Sequence, residues 1–120
     1  MSAYREGLRR RLNRALNADE QAAVEAAWRE ASQAAERLVQ QYGAKRVILF
    51  GSVARRRRLQ PDSDIDLAVE GMTGEVFYKI AGDLHTSDGR RIDLVRLDTL
   101  GQSFRKVIAL EGVLLAHDGE

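Results

Sequence analysis

Apolar side chains near the start of the chain recur at helical spacing. Tyr4, Leu8, Leu12 and Leu16 are each four residues apart, which predicts an amphipathic helix over residues about 3–16. The arginines of this segment are expected to form an exposed face rather than a nucleic-acid site, because a charge run on a helix is usually solvated.

A second and longer helical pattern follows. Asp19 is a candidate N-cap, and the helix continues to Tyr42, where Gly43 provides a C-terminal cap. Its apolar stripe consists of Val24, Trp28, Ala31, Ala35, Leu38 and Tyr42. We expect Trp28 to be a core residue and residues 1–43 to form a helical hairpin, which serves as a docking surface or mediates self-association.

Beyond Gly43 the pattern changes to short apolar runs separated by turns. Strands are predicted at residues 47–50, 65–69 and 91–96, with an edge strand at 113–116. Between them lie a short helix or turn at 53–59 and helices at 73–86 and about 100–108. This alternation predicts an α/β (α+β) fold, with a small mixed sheet, helices on one face and the helical hairpin in front.

Length and composition restrict the functional classes. The chain has 120 residues, a net charge of +1 and no cysteine. Thiolate chemistry and disulfides are therefore excluded, and the charge balance does not indicate a polyanion-binding protein. No apolar run approaches the roughly 18 residues that span a bilayer, so we expect a single cytoplasmic domain over residues 1–120 with no membrane association.

Three aspartates are placed where they can converge. Because side chains alternate along a strand, Asp64 and Asp66 share one face, opposite Ile65 and Leu67. If the third predicted strand lies beside this one with its apolar residues on the same core, Asp93 lies next to Asp66. Taken singly, Asp64 could close a turn and Asp93 could be a surface residue, but Asp66 interrupts an otherwise apolar strand.

Carboxylates packed this closely favour a metal site. They repel one another, and each resists ionisation unless a cation neutralises it. Magnesium is the hard divalent ion that suits carboxylates together with phosphates. The pattern is typical of phosphoryl or nucleotidyl transfer, in which two metal ions about 3.5–4 Å apart stabilise the attacking and leaving oxygens.

Gly51 and Ser52 follow the first predicted strand and open the short helix. Backbone amides and a hydroxyl at such a position can meet a phosphate, and glycine lets the chain approach it closely. Glycine–serine turns are common, so the pair alone is weak evidence for a phosphate site. Its position before the Asp-x-Asp strand strengthens that interpretation. An unbroken run of arginines, residues 55–58, lies next to this loop. We therefore also assign Arg55 to nucleotide binding; a solvated surface is the alternative.

Together these segments resemble the minimal nucleotidyltransferase (MNT) family of the DNA polymerase β-like nucleotidyltransferase superfamily. The likeness covers residues about 44–116 and rests on residues 49–55 (LFGSVAR), 63–67 (SDIDL) and 108–115 (IALEGVLL), with a third aspartate at Asp93. Many members of this family are antitoxins encoded beside HEPN-domain toxins.

The resemblance implies a polymerase β-like fold with residues 44–120 as its catalytic core. The site residues that it implies are Gly51 and Ser52 for the nucleotide phosphates, Asp64 and Asp66 for two Mg²⁺ ions, and Asp93 to complete one metal site and help deprotonate the attacking hydroxyl.

Two departures from the family pattern affect the loop. Arg56 stands where the family often has glycine, and the segment between Ser52 and Asp64 is about one residue longer than usual. Either departure changes contacts to the triphosphate without removing a metal ligand.

The implied activity is transfer of AMP, or another nucleotide, from ATP to an acceptor hydroxyl, with release of pyrophosphate. Because 120 residues leave no second domain for the acceptor, a partner protein or a second copy is expected to complete the site. The resemblance points to a tyrosine of a HEPN toxin, with this chain as the antitoxin. Two alternatives stay open: an antitoxin that acts by complexation alone, and an aminoglycoside-type nucleotidyltransferase with a helical partner. Nucleic-acid synthesis is not expected, because nothing in the pattern forms a template-binding cleft.

Overall fold

The computed structural model describes residues 16–56, Leu59 and residues 63–119. The helix predicted at residues about 3–16 lies outside this part of the chain, apart from Leu16. Within the described residues, no helix combines the length and the apolarity that a membrane crossing requires.

The long helix α1, Ala18–Tyr42, is capped at both ends, by Asn17 at its N-terminus and by Gly43 at its C-terminus. The side chain of Asn17 accepts a hydrogen bond from the Glu20 amide at 2.7 Å, and the Glu20 carboxylate accepts one from the Asn17 amide at 3.0 Å. The prediction of Asp19 as the N-cap is wrong, because this reciprocal capping box begins the helix two residues earlier. Gly43 ends the helix as predicted, in the left-handed conformation with a φ of 78°.

Four strands form a mixed sheet in the order β3-β2-β1-β4. They are β1 (Arg46–Phe50), β2 (Ile65–Glu70), β3 (Ile92–Arg96) and β4 (Val113–His117). β1 is antiparallel to β2 and to β4, whereas β2 and β3 are parallel. Each strand agrees with its predicted position to one residue at either end, and the mixed sheet is confirmed.

The first two connecting helices are shorter than the spacing of apolar residues predicted. The helices are α2 (Gly51–Ala54), α3 (Gly74–Ile80), a 3₁₀ turn (Leu97–Thr99) and α4 (Gln102–Glu111). The helix predicted over residues 73–86 ends at Ile80, just before Gly82. The segment beyond it turns back toward β3, and the Ile92 amide donates to the Leu84 carbonyl at 2.9 Å. Leu84 therefore continues the helical spacing without belonging to the helix.

The two faces of the sheet carry different apolar cores. On one face, the alanine-rich stripe of α1 packs against alternate strand residues, namely Val47, Leu49, Ile65, Leu67, Val69, Ile92 and Leu94. On the other face, Ala68 and Leu97 form a smaller cluster with Ile108 of α4. The prediction placed the helices on one face. α4 contributes to the other face because the strand residues there are apolar beyond the carboxylates, and Ile48 packs against the same cluster.

Candidate active site

The three aspartates lie on the second face of the sheet, where β2 and β3 begin. Asp66 is directly opposite Asp93 in the parallel pair and opposite Phe50 in the antiparallel pair. Asp64 immediately precedes β2 and shares the face of Asp66 by alternation. The predicted adjacency of Asp66 and Asp93 is therefore confirmed, whereas the role of the three carboxylates as metal ligands stays a prediction.

Asp66 bears the electrostatic cost of this arrangement. Burial raises its pKa most, and the carboxylates of Asp93 and Asp64 raise it further, from an ordinary 3.8 to about 6. Arg55 acts in the opposite direction and lowers the pKa of Asp66, but it does not cancel the other effects. A half-buried carboxyl with like-charged neighbours is stabilised when a cation lies beside it.

The donors suit Mg²⁺ in kind, because they are carboxylate oxygens with an excess of negative charge. As the side chains stand, no group of three or more His, Cys, Asp or Glu in the described part of the chain is close enough to hold a metal ion. Oδ2 of Asp64 lies 3.9 Å from Nη1 of Arg91; the Arg91 side chain is well exposed, and that of Asp64 is partly exposed. The backbone thus aligns the predicted ligands, but the side chains do not converge as the sequence predicted.

Gly51 brings the backbone close against Asp66. Its φ is 77°, in the left-handed region, and a Cβ added at this position would overlap the carboxylate of Asp66. The position therefore requires glycine for its dihedral angle and also for space. The prediction assigned this glycine to the close approach of a phosphate; the structure shows that it also accommodates a carboxylate of the same site.

Ser52 is the second residue of α2, which follows β1 directly and has four residues. The side chain of Val53 is fully buried in the core beneath the helix. The loop that follows the apolar strand is therefore held beside the carboxylates, as predicted. Contact between Ser52 and a phosphate stays a prediction.

Arg55, at the end of α2, connects the loop to α4. Its Nη1 forms an exposed ion pair with Oε2 of Glu111 at 3.2 Å. Its effect on the pKa of Asp66 places its positive charge near the carboxylates as well. The assigned role of Arg55 in nucleotide binding stays a prediction. Nothing in the sequence pointed to Glu111, because 56 residues separate it from Arg55.

Trp28 of α1 is more than the core residue that its spacing predicted. It is partly buried against the core, and its indole Nε1 donates to the carbonyl of Val53 at 2.9 Å. The guanidinium carbon of Arg56 lies 4.5 Å from the centre of the indole ring. Arg56 has a φ of 54°. Among the described residues, it is the only non-glycine residue with a positive φ. That conformation favours glycine, the residue that the resemblance leads one to expect at this position.

Comparison with known proteins identifies the family. The family model for polymerase β nucleotidyltransferases, described as "Polymerase beta, Nucleotidyltransferase", matches residues 33–120. No curated protein sequence is similar to this chain at a significant level.

Several solved structures of toxin–antitoxin complexes contain a similar fold. One, a toxin–antitoxin structure with AMP-PNP, gives a TM-score of 0.61 at 21% identity, over 72% of this chain and 73% of that chain. A second, MntA–HepT, gives 0.56 at 19% identity, over 74% and 71%. A third contains a tri-AMPylated HEPN toxin of Shewanella oneidensis with its MNT antitoxin, and gives 0.54 at 17% identity, over 79% and 73%. At these identities the likeness shows the fold.

The matched segment contains the whole sheet, the loop that carries Gly51 and Ser52, and all three aspartates of the site. This chain therefore belongs to the polymerase β nucleotidyltransferase family.

Proposed function

We propose that this chain transfers AMP, or another nucleotide, from ATP to a hydroxyl of a partner HEPN toxin, and that it thereby acts as an antitoxin. The observation that carries the proposal is the parallel register of β2 and β3, which sets Asp66 beside Asp93. Asp64 shares their face, and Gly51 packs against the Asp66 carboxylate. In a nucleotidyltransferase family, such a cluster beside a glycine–serine loop supports catalysis.

Each group of residues has a separate task in this proposal. The amides of Gly51–Ala54 and the Ser52 hydroxyl bind the triphosphate. Asp64, Asp66 and Asp93 would hold Mg²⁺, which supplies charge neutralisation at the attacking and leaving oxygens. The acceptor oxygen forms a bond to the α-phosphorus, and the bond from that phosphorus to the bridging oxygen breaks, so pyrophosphate leaves. Asp93 takes the proton of the acceptor hydroxyl.

Exposed apolar side chains next to the carboxylates support a protein acceptor. Phe104, Val107 and Leu110 lie along α4, and Leu110 is 86% exposed. The ring of Phe104 meets that of Phe50 edge-on, with centroids 6.0 Å apart, and Phe50 is the register partner of Asp66. An apolar surface that continues to the carboxylates suits a docked protein better than a small polar metabolite.

The choice of a HEPN protein as the partner comes from the similar complexes. One of them holds a tri-AMPylated HEPN toxin together with its MNT antitoxin, and another holds AMP-PNP. A docked partner would close the open side of the site and fix the attacking hydroxyl in line with the α-phosphate. Such positioning supplies much of the rate in transfers of this kind.

Complexation without catalysis is the second candidate. The arrangement of the carboxylates favours it, because within the described residues they do not form a group able to hold a metal as they stand. In that case the surface of α4 would silence the partner by contact, and the aspartates would be dispensable.

Co-expression with a HEPN-domain protein encoded beside this chain separates the two candidates. We expect the intact mass of the partner to increase by one or more nucleotides with the wild type and to stay unchanged with Asp66→Asn. Asp83→Asn is the matched control, since it removes an exposed carboxylate of a turn outside the cluster. If the partner stays unmodified while the wild type and Asp66→Asn silence it equally, complexation replaces catalysis.

A further inference from the structure

One side chain of α1 reaches the loop that carries Gly51 and Ser52. The indole of Trp28 donates its N–H to the Val53 carbonyl at 2.9 Å, and its ring lies 4.5 Å from the guanidinium carbon of Arg56. We propose that Trp28 is a positioning residue that holds this loop in the conformation that binds the nucleotide. The inference rests on the proposed nucleotidyltransferase function.

The carbonyl of Val53 is the point at which the loop is fixed. It accepts two donors, the Arg56 amide at 3.0 Å and the Trp28 indole, while the Val53 side chain is fully buried. Because α2 has only four residues, it cannot hold its shape through a long series of helical hydrogen bonds. Its geometry therefore depends on contacts from outside, and Trp28 supplies one of them.

Arg56 is the second residue of the loop that Trp28 contacts. A φ of 54° is unfavourable for a residue with a Cβ. The cation–π contact with the indole ring offsets part of that cost, and it is specific to an aromatic ring at this place. Trp28 thereby sets the direction in which the chain leaves the loop.

A purely structural role explains why the indole N–H has a partner, but not why both the hydrogen bond and the cation–π contact fall on the same loop. The N–H of a buried tryptophan usually finds a partner, and α1 offers many core positions in which an apolar side chain suffices. Here both contacts of Trp28 go to the loop and none of the loop's other described hydrogen bonds comes from α1. Loss of Trp28 should therefore change nucleotide affinity as well as stability.

Calorimetry with AMP-PNP and magnesium measures that affinity directly. Trp28→Leu removes both contacts, and we expect its Kd to rise about tenfold. Trp28→Phe keeps a ring beneath Arg56 but loses the donor, and a rise of about threefold is expected. Val39→Ala is the matched control, because Val39 packs against the core from the same helix, about 16 Å further along its axis. It should lower the Tm without changing the Kd.

Fluorescence adds a readout that a merely structural role would not move. Trp28 is the only tryptophan in the sequence, so its emission reports on this contact without a label. In the wild type we expect nucleotide to change the emission saturably, with a midpoint equal to the calorimetric Kd. Emission that nucleotide leaves unchanged would contradict the proposal.

The outcomes separate this inference from the function on which it rests. If the wild type binds AMP-PNP and Trp28→Leu binds it within about twofold of the wild type at a lowered Tm, Trp28 is a core residue only. Should Trp28→Leu fail to fold, the Kd of Trp28→Phe decides in the same way. If the wild type itself binds no nucleotide, the proposed function fails first and the positioning role fails with it.

Discussion

At neutral pH Asp66 is ionised in the folded chain, although its surroundings disfavour the charged form. The pKa of Asp66 is raised from 3.8 to about 6, first by burial and then by Asp93 and Asp64. Asp66→Asn removes the charge with little change of shape, so we expect the metal-free variant to be more stable than the wild type. The pKa difference corresponds to at most about 3 kcal/mol at neutral pH, and solvent screening of a half-buried group reduces the expected gain to about 1–2 kcal/mol.

The raised pKa also sets the direction of the pH dependence. Between the ordinary value of 3.8 and the folded value of about 6, the folded state binds more protons than the unfolded state. The free energy of unfolding of the wild type should therefore fall as the pH rises through this window. Asp66→Asn lacks this contribution, so the two proteins should be similarly stable near pH 4 and differ most above about pH 6.

Urea unfolding in EDTA across this pH range is the assay. Asp83→Asn serves as the control, since it removes a carboxylate from an exposed turn outside the cluster. The reasoning is refuted if Asp66→Asn is no more stable than the wild type at neutral pH, or if its gain is as large near pH 4 as above about pH 6. The same variant should lose nucleotidyl transfer, because the group that costs stability is the group proposed to bind magnesium.

Three further substitutions test separate parts of the account. Gly51→Ala should lower the Tm more than Gly43→Ala, since the two glycines have φ angles of 77° and 78° but a new Cβ would overlap the Asp66 carboxylate only at Gly51; equal losses in thermal unfolding would contradict this. Ser52→Ala should weaken AMP-PNP binding by about 1.5–3 kcal/mol at an unchanged Tm, and an unaltered Kd in calorimetry would make Ser52 a turn residue only. Leu110→Asp should prevent co-purification with the HEPN partner while leaving the nucleotide Kd unchanged, and a complex that survives the substitution would remove α4 from the interface.

Patterns local in sequence were sufficient for the strands and for the placement of the carboxylates. Apolar runs set the strand bounds to within one residue. Alternation along β2 and β3 determined the face that Asp66 and Asp93 occupy, because the apolar residues of both strands must face the same core. The motifs typical of the family lie in these same strands and in the loop that follows β1.

Features that depend on distant contacts were not predictable from the sequence. Trp28 has the spacing of a core residue, and its hydrogen bond joins it to a residue 25 positions away. Arg56, whose φ is positive, lies against the ring of the same tryptophan, and no local propensity reveals this contact. Leu84 continues the apolar spacing of α3, but it lies beyond the end of the helix. Its carbonyl accepts a hydrogen bond from the Ile92 amide of β3. Spacing alone does not distinguish these cases.

The central claim is that the aspartate cluster transfers a nucleotide to a protein partner. The most direct measurement incubates the purified chain and its HEPN partner with magnesium and ATP, labelled in one sample at the α-phosphate and in another at the γ-phosphate. We predict that the wild type attaches the α label to the partner and not the γ label, and that Asp64→Asn attaches neither. Absence of the α label from the partner with the wild type, or equal labelling by Asp64→Asn, would contradict the claim.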